Sequence, residues 1–143
     1  MTQIKVVNKS GLELPEYKTE GSAGMDLQCA CESVTLKPLE RTLVPTGLFM
    51  EIPLGYEGQV RPRSGLSIKH GITLINCTGT IDSDYRGELK IPLVNLSNET
   101  YTIKRGDRVA QIVFASVEQG EFLEVETLSE TDRGHGGFAS TGL

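Results

Sequence analysis

The 143-residue chain is poor in histidine and contains no long apolar run. It contains two histidines, His70 and His135, and no tryptophan. A His-rich metal centre and a Ser-His-Asp triad are therefore not expected. No stretch approaches the roughly 18 apolar residues that cross a membrane, and Met1 to Lys18 contains no apolar block of the signal-peptide type. We predict a cytoplasmic protein that does not associate with membranes.

Cysteine is also scarce, and its three copies do not make a disulfide framework. The number is odd, and the spacing of Cys29 and Cys31 is not that of a metal-binding knuckle. Cys77 lies far from both in the sequence. The alternation of a strand would place Cys29 and Cys31 on the same face. We interpret both as small buried hydrophobic residues.

Positive charge is in short supply, because the net charge is −5 and there is no basic tract. Binding to long nucleic acid is not expected, since it requires a broad positive surface. A small polyanion needs only local arginines. Six of the seven arginines lie at residue 61 or later, most of them beside Gly, Pro or Asp. This distribution is typical either of a phosphate site built from turns or of solvated loop charges.

The sequence does contain many short apolar or alternating runs separated by turn residues. They are rich in Val, Ile, Thr and Tyr, and they predict an all-β, sandwich-like or barrel-like domain. One short helix is expected over Leu66 to His70, with Ser64 as its N-cap and Gly71 as its C-cap. The predicted strands are Ile4–Val7, Met25–Ala30, Ser33–Leu36, Arg41–Val44, Leu48–Ile52, Glu57–Arg61, Thr73–Ile75, Glu88–Asn95, Tyr101–Ile103, Arg108–Ala115 and Leu123–Thr127.

The end of the chain has an unusual composition. We place a boundary near Ser129, which gives a β-domain over residues 1–128 and a C-terminal arm over residues 129–143. The last ten residues include four glycines, one phenylalanine and the pair Ser140-Thr141, with Arg133 just before them. So few apolar groups cannot offset the ordering entropy, so the arm is predicted to be flexible on its own. It is either a frayed terminus or a flap that grips phosphate.

The segment Asn76–Gly87 has the highest density of chemically active side chains. It is predicted to be a hairpin between a strand that ends at Asn76 and another that begins at Glu88. Two aspartates, a tyrosine and an arginine crowd its turn. The mouth of a hairpin offers backbone donors and acceptors to the edge of a base, and an aspartate there can activate a water. An Asp-rich turn without chemistry is the alternative, because Asp and Gly favour turns.

Three other fragments are weaker signals. Pro62 to Gly65 leads into the predicted helix, whose first N–H groups either bind an anion or simply need capping. Ala23–Leu27 opens a strand with the carboxylate of Asp26. Gly106–Gln111 begins another strand after a tight turn, where its charges can also cap a hairpin.

In this order the fragments resemble one family, the trimeric dUTP nucleotidohydrolases (dUTPases). The resemblance implies a distorted jelly-roll subunit in a homotrimer with shared active sites, each closed by the arm of a neighbour. It implies hydrolysis of dUTP to dUMP and pyrophosphate, which limits uracil in DNA and supplies dUMP for dTMP synthesis. The matching fragments, which span nearly the whole chain, are Ala23–Leu27, Pro62–Ser67, Asn76–Gly87, Gly106–Gln111 and Arg133–Gly142.

The resemblance also implies roles for single residues. Asp82 is the implied catalytic base for the water that attacks the α-phosphorus, and Asp26 and Arg108 form a supporting ion pair. Mg²⁺ is the implied cofactor, held by the triphosphate and by water without a direct protein ligand. The implied substrate-binding residues are Asn76 and Cys77 at uracil, Tyr85 at the deoxyribose, Arg63, Ser64, Gly65 and Gln111 at the phosphates, and Arg133, Phe138, Ser140 and Thr141 from the arm.

Two other functions are compatible with such a fold. A dCTP deaminase would need a glutamate in the third fragment, where this chain has Asp-Ser-Asp-Tyr, and the zinc-deaminase motifs are missing from the sequence. A non-catalytic jelly-roll module would keep the fold without needing Asp82.

The arm departs from the family pattern at Ala139, where glycine is usual. A positive φ there would add strain of order 1 kcal/mol.

Overall fold

The computed structural model describes residues 2–137, which form antiparallel sheets and one short helix. The sheet orders are β1-β4-β8-β6, β2-β10-β5-β7 and β3-β9. The prediction of an all-β domain with one short helix is confirmed. The elements are β1 (Lys5–Asn8), β2 (Met25–Gln28), β3 (Ser33–Leu36), β4 (Arg41–Glu51), β5 (Tyr56–Arg61), α1 (Ser64–His70), β6 (Ile72–Leu74), β7 (Gly79–Ile81), β8 (Glu88–Asn95), β9 (Tyr101–Lys104) and β10 (Arg108–Ser116).

One hydrophobic core joins the two larger sheets. Alternation along β8 buries Leu89, Ile91 and Leu93 and exposes Lys90. Burying an aliphatic side chain contributes about 1.5–3 kcal/mol, and a slip of one residue would turn the whole set toward solvent. The core therefore fixes the strand register that positions the site. The second sheet contributes Leu27, Val60, Val109, Ala110 and Ile112 to the same core.

The predicted strands Arg41–Val44 and Leu48–Ile52 are one continuous strand, β4. Its pairing with β8 shifts register between Pro45 and Phe49, where proline has no N–H to donate. Gly47 in this stretch has a φ of 67°, and a Cβ there would lie 2.6 Å from the backbone of Ser10. The proline and glycine thus produce a bulge instead of ending the strand.

The hairpin predicted over Asn76–Gly87 is confirmed in its antiparallel strand pairing, but its connection is not a simple turn. β6 pairs with β8 in one sheet, whereas β7, inside the predicted turn, pairs with β5 in the other. The segment therefore crosses from one sheet to the other and returns. β7 is only three residues long with a single large apolar side chain, Ile81, so its pattern gives almost no strand signal.

The helix ends as predicted but does not begin as predicted. Gly71 is the C-cap, with a φ of 65°, and its N–H donates to the Ser67 carbonyl. The N-cap is Arg63 instead of Ser64, and no side chain caps the first turn. Lys69 and His70 stand in the last turn, where positive charge complements the helix dipole. Within residues 2–137, no helix is long and apolar enough to cross a membrane.

Two further predictions need correction. β2 ends at Gln28, so Cys29 and Cys31 lie beyond the strand; Cys29 is buried, but Cys31 is only half-buried. The segment Leu123–Thr127 is not a strand in the described structure, although its residues favour β-structure. Phe122, Leu123 and Leu128 are exposed there, because no edge within the described chain pairs with this segment.

Candidate active site

Asp26 binds two arginines and is the centre of a braced cluster. Its Oδ1 accepts a bond of 2.8 Å from Arg63 Nε, and its Oδ2 one of 3.2 Å from Arg108 Nη1. Arg63 also donates to the Arg108 carbonyl at 3.2 Å. The predicted Asp26–Arg108 ion pair is present. The link to Arg63 was not predicted, and it ties the start of α1 to β2 and β10.

Gln111 extends this cluster across the sheet. It lies opposite Asp26 on β2 and opposite Arg61 on β5, so the three side chains share one face. Its Nε2 donates to the Pro62 carbonyl at 3.0 Å. The carboxamide is thus fixed at the junction where β5 leads into the helix.

Gly24 allows Gln111 to take this position. A Cβ on Gly24 would lie 2.7 Å from Gln111 Oε1, which is too close for real atoms. Gly24 has no positive φ, so it serves close approach and not backbone conformation. The sequence places Gly24 in a matching fragment, but no local signal shows which side chain it accommodates.

A surface cavity of about 360 Å³ lies between the helix and β9–β10. Its lining includes Arg63, Lys69, His70 and Arg108, with Asp107 as its acidic member. Ser64 and Gly65 are exposed at the start of the helix, and Gly65 also lines this cavity. Positive charge beside exposed backbone favours a polyanion.

Asn76 and Cys77, the residues predicted to bind uracil, lie at the start of the segment Asn76–Gly87, and both are exposed. Cys77 has a φ of 61°, which is rare for a residue other than glycine. Its N–H donates to the Leu74 carbonyl at 3.2 Å, forming a tight turn after β6. Such strained backbone occurs often at ligand sites. Cys77 and Gln111 line one cavity of about 690 Å³.

Asp82 and Tyr85 lie in the turn between β7 and β8. The N–H of Tyr85 donates to the Asp82 carbonyl at 3.2 Å, and the Tyr85 hydroxyl donates to the Glu88 carbonyl at 3.0 Å. Arg86 Nη1 donates to the carbonyls of Ser83 and Tyr85 at 2.7 and 2.9 Å. These bonds fix the backbone of the turn, while the Asp82 side chain is exposed.

Gly87 seats the Tyr85 ring. A Cβ on Gly87 would lie 2.5 Å from Tyr85 Cζ, inside the ring's own volume. Gly87, like Gly24, has no positive φ. Both glycines are positioning residues that sequence reasoning missed. The signal available for Gly87 was its place two residues after a candidate sugar-binding tyrosine.

The predicted site residues do not meet in one cavity of a single chain. Asp82 lines a groove of about 910 Å³ together with Asp84 and Tyr56. The lining of that groove includes neither Arg63 nor Gln111, which belong to the other two cavities. Asp82 and Arg63 therefore line different cavities of the described chain, although Cys77 and Gln111 share one.

The arm is described as far as Gly137. Arg133 is exposed, and its Nε donates to the Gly136 carbonyl at 2.8 Å within a local turn. Gly134 takes a φ of 49° in the same turn. The predicted arm residues Phe138, Ser140 and Thr141, and the unusual Ala139, lie outside the described residues.

Solved structures define the class of protein to which this fold belongs. A Staphylococcus bacteriophage 80alpha dUTPase solved with dUPNHPP superposes with a TM-score of 0.88 at 30% identity, covering 100% of this chain and 99% of that one. The D95N mutant dUTPase of the S. aureus phage phi11, described with a structural Mg(II) ion, gives 0.80 at 28% identity over 90% and 99% of the two chains. The fold is thus that of the jelly-roll dUTPases.

Sequence comparison identifies the family. The dUTPase family profile matches residues 11–142. A deoxyuridine 5'-triphosphate nucleotidohydrolase of Finegoldia magna is 65% identical over 98% of this chain and 99% of its own length. One of Fusobacterium nucleatum is 62% identical over 98% and 97%. The chain belongs to the dUTPase family, as its fragments predicted.

Proposed function

We propose that this member of the dUTPase family hydrolyses dUTP to dUMP and pyrophosphate, with Asp82 as the general base. The observation that carries the proposal is the pairing of two half-sites on one chain. One half is an arginine-lined cavity braced by Asp26, and the other is an exposed aspartate beside a seated tyrosine ring. A triphosphate nucleotide needs both, because its phosphates require cations and its hydrolysis requires an activated water.

The half-sites belong to different subunits of a homotrimer in this proposal. Asp82 and Arg63 line different cavities of one chain, so an assembled site needs groups from more than one copy. The arm, residues 129–143, then crosses to a neighbouring site. Fifteen residues extend up to roughly 50 Å at about 3.3 Å per residue, which is long enough to reach an adjacent subunit.

The substrate is placed as follows in this assignment. Asn76 and the backbone at Cys77 bind the edge of uracil, and the Tyr85 ring packs under the deoxyribose, where a ribose 2′-hydroxyl would clash. Arg63, Ser64, Gly65 and Gln111 hold the phosphates, while Asp26 and Arg108 keep Arg63 in place. From the arm, Phe138 stacks on uracil, and Arg133, Ser140 and Thr141 bind the γ-phosphate.

Asp82 takes the proton from a water as the water oxygen bonds to the α-phosphorus. The bond from that phosphorus to the bridging oxygen breaks in line, and pyrophosphate leaves with the bonding electrons. Placing the carboxylate within hydrogen-bond reach of the water accounts for about 10²–10⁴-fold of the rate. Gln111 helps to hold the attacking water and the phosphates.

Mg²⁺ fits this site through the substrate. Among residues 2–137, no three His, Cys, Asp or Glu side chains converge as metal ligands, and Asp26 is already bound to two arginines. Mg²⁺ commonly keeps several waters and binds substrate phosphates, so such a site needs no protein cage. When bound, it neutralises charge on the triphosphate and on the departing pyrophosphate.

The function is tested by measuring pyrophosphate release from dUTP, dTTP, dCTP and UTP, with and without Mg²⁺. We expect release from dUTP alone, and only with Mg²⁺. Ammonia release from dCTP would instead indicate a deaminase. Tight dUTP binding without any product would indicate a non-catalytic module.

The arm is tested by truncation after Ser129. Removing residues 130–143 is expected to leave the oligomer and its melting temperature unchanged, since the core lies within residues 27–112. Activity should fall sharply, because the γ-phosphate and uracil lose the arm's contacts, each worth roughly 1.5–3 kcal/mol where charged. An unfolded truncation product would show that the arm is structural.

A further inference from the structure

The thiols of Cys29 and Cys31 lie together in the link between β2 and β3. Their sulfur atoms are 3.2 Å apart, and both cysteines are free thiols. Cys29 is fully buried, whereas Cys31 is half-buried and accessible. Burial, with a hydrogen bond to Cys31, raises the pKa of the Cys29 thiol to about 12. Neither thiol has a role in the mechanism proposed above.

Backbone hydrogen bonds hold this link in place at Cys29 and Ala30. The N–H of Cys29 donates to the Asp107 carbonyl at 2.8 Å, and its own carbonyl accepts the Gly106 N–H at 2.8 Å. The N–H of Ala30 donates to the Pro45 carbonyl at 2.8 Å. The proximity of the two sulfur atoms is thus built into the fold.

We propose that Cys29 and Cys31 form a reversible oxidation site, which closes to an intramolecular disulfide by exchange with a low-molecular-weight disulfide. The reach of the chain permits the bond. Two residues span at most about 6.6–7.2 Å between Cα atoms, and the two sulfur atoms already lie 3.2 Å apart. Disulfides need a Cα separation of about 4.4–6.8 Å.

The exchange has two steps that balance. The accessible Cys31 thiolate attacks one sulfur of the small disulfide, whose S–S bond breaks and releases one thiolate. Cys29 then loses its proton and attacks the Cys31 sulfur, releasing the second thiolate. Two protein thiols are oxidised by two electrons, and the reagent is reduced to two thiols.

Burial makes Cys29 the slower partner, but proximity compensates. A buried thiol forms its thiolate reluctantly, so Cys29 is a poor first nucleophile for a reagent in solution. Once Cys31 carries the mixed disulfide, the second step is intramolecular, and well-oriented intramolecular reactions have effective molarities of about 10⁵–10⁸ M. Cys31 is therefore the thiol that reacts with the small disulfide, and Cys29 is the resolving thiol.

The test uses the full chain with Cys77→Ser, which leaves only these two thiols. The folded protein is incubated with glutathione disulfide, quenched in acid and examined by intact mass and thiol titration. We expect both thiols to disappear without added glutathione mass, and dithiothreitol to restore them. The matched control, Cys29→Ser with Cys77→Ser, should instead keep one glutathione on Cys31.

Three outcomes would overturn the proposal. They are two thiols that persist, a stable glutathione adduct in the Cys77→Ser chain, and a disulfide between two chains. The same chain in concentrated urea provides a further check, because its thiols are no longer held together. Faster ring closure in the folded protein supports a site built by the fold, and equal rates contradict it.

Discussion

The phosphate-side cluster and the Asp82 turn differ in how their functional groups are held. Asp26, Arg63 and Gln111 are half-buried and bonded to one another or to backbone across β2, β10 and the link from β5 to α1. In the Asp82 turn the backbone is fixed, but the Asp82 carboxylate is exposed. The ionic cluster is thus fixed by contacts between neighbouring elements, while the proposed base, Asp82, lies at the surface of the chain.

This difference predicts that stability and activity separate at Asp82. Asp82→Asn should lower kcat by about 10²–10⁴-fold, because the amide cannot take the proton from water. The free energy of unfolding should change by less than about 0.5 kcal/mol, since the side chain is exposed. Steady-state kinetics, dUTP titration and denaturant melts measure the three quantities.

Near-normal turnover by Asp82→Asn would remove Asp82 from the role of base. Retained dUTP binding is the internal control, because it shows that the site still assembles. A large loss of stability would mean that the turn is as tightly integrated as the phosphate-side cluster.

At Asp26 the two quantities should fall together. Asp26→Asn removes the charge that holds Arg63 and Arg108, and charge-assisted hydrogen bonds contribute about 1.5–3 kcal/mol each. The pairs are partly solvated, so we expect a loss of about 1.5–3 kcal/mol in total. Binding of dUTP should also weaken, because Arg63 loses its orientation.

The control for Asp26 is Asp84→Asn, an exposed carboxylate in the other region. Its free energy of unfolding should stay within about 0.5 kcal/mol of the parent. Equal stability of both variants in urea denaturation at matched protein concentration would contradict the bracing role of Asp26.

A substitution at Gly87 tests whether the Asp82 turn also holds the Tyr85 ring in a fixed position. Gly87→Ala would force the Tyr85 ring to move, since the new Cβ lies 2.5 Å from Cζ. We expect kcat/KM for dUTP to fall by about tenfold, or roughly 1.4 kcal/mol, with a smaller fall for UTP. Gly120→Ala is the control, because no atom lies within 4 Å of its Cβ position. An unchanged preference for dUTP over UTP would show that the ring is not seated by Gly87.

The sequence predicted those elements whose structure is set by neighbouring residues in the chain. The alternation of β8 and the C-cap at Gly71 follow from side-chain period and backbone conformation, and both are found as predicted. β7 was missed because three residues carry too little pattern. Leu123–Thr127 has a strand's composition without a partner in the described chain. Strand pairing is a property of the fold, which a single-chain pattern does not specify.

The site shows the same division. Fragment order predicted roles for Asp26, Arg108 and Asp82. The Asp26–Arg108 ion pair is present, while the role of Asp82 stays a prediction. The second arginine on Asp26 was missed, because Arg63 is 37 residues away in sequence and only the meeting of β2 with the start of α1 brings it close. Gly24 and Gly87 escaped notice for a similar reason. The side chain that approaches Gly24 belongs to Gln111, far away in the sequence, and the nearness of Tyr85 to Gly87 in the sequence does not show that its ring folds back.

The smallest effect is predicted for Gly24→Ala, which tests the position of Gln111 in the phosphate-side cluster. Gly24→Ala places a Cβ 2.7 Å from Gln111 Oε1, the end of a flexible side chain that moves at little cost. Stability should therefore change little, while the bond from Gln111 to the Pro62 carbonyl is lost and kcat falls a few-fold, about 1 kcal/mol. Gly21→Ala, whose Cβ has no atom within 4 Å, should match the parent. A loss of stability without slower turnover would contradict this prediction. It would show that Gln111 stabilises the fold through its bond to Pro62 and has no role in turnover.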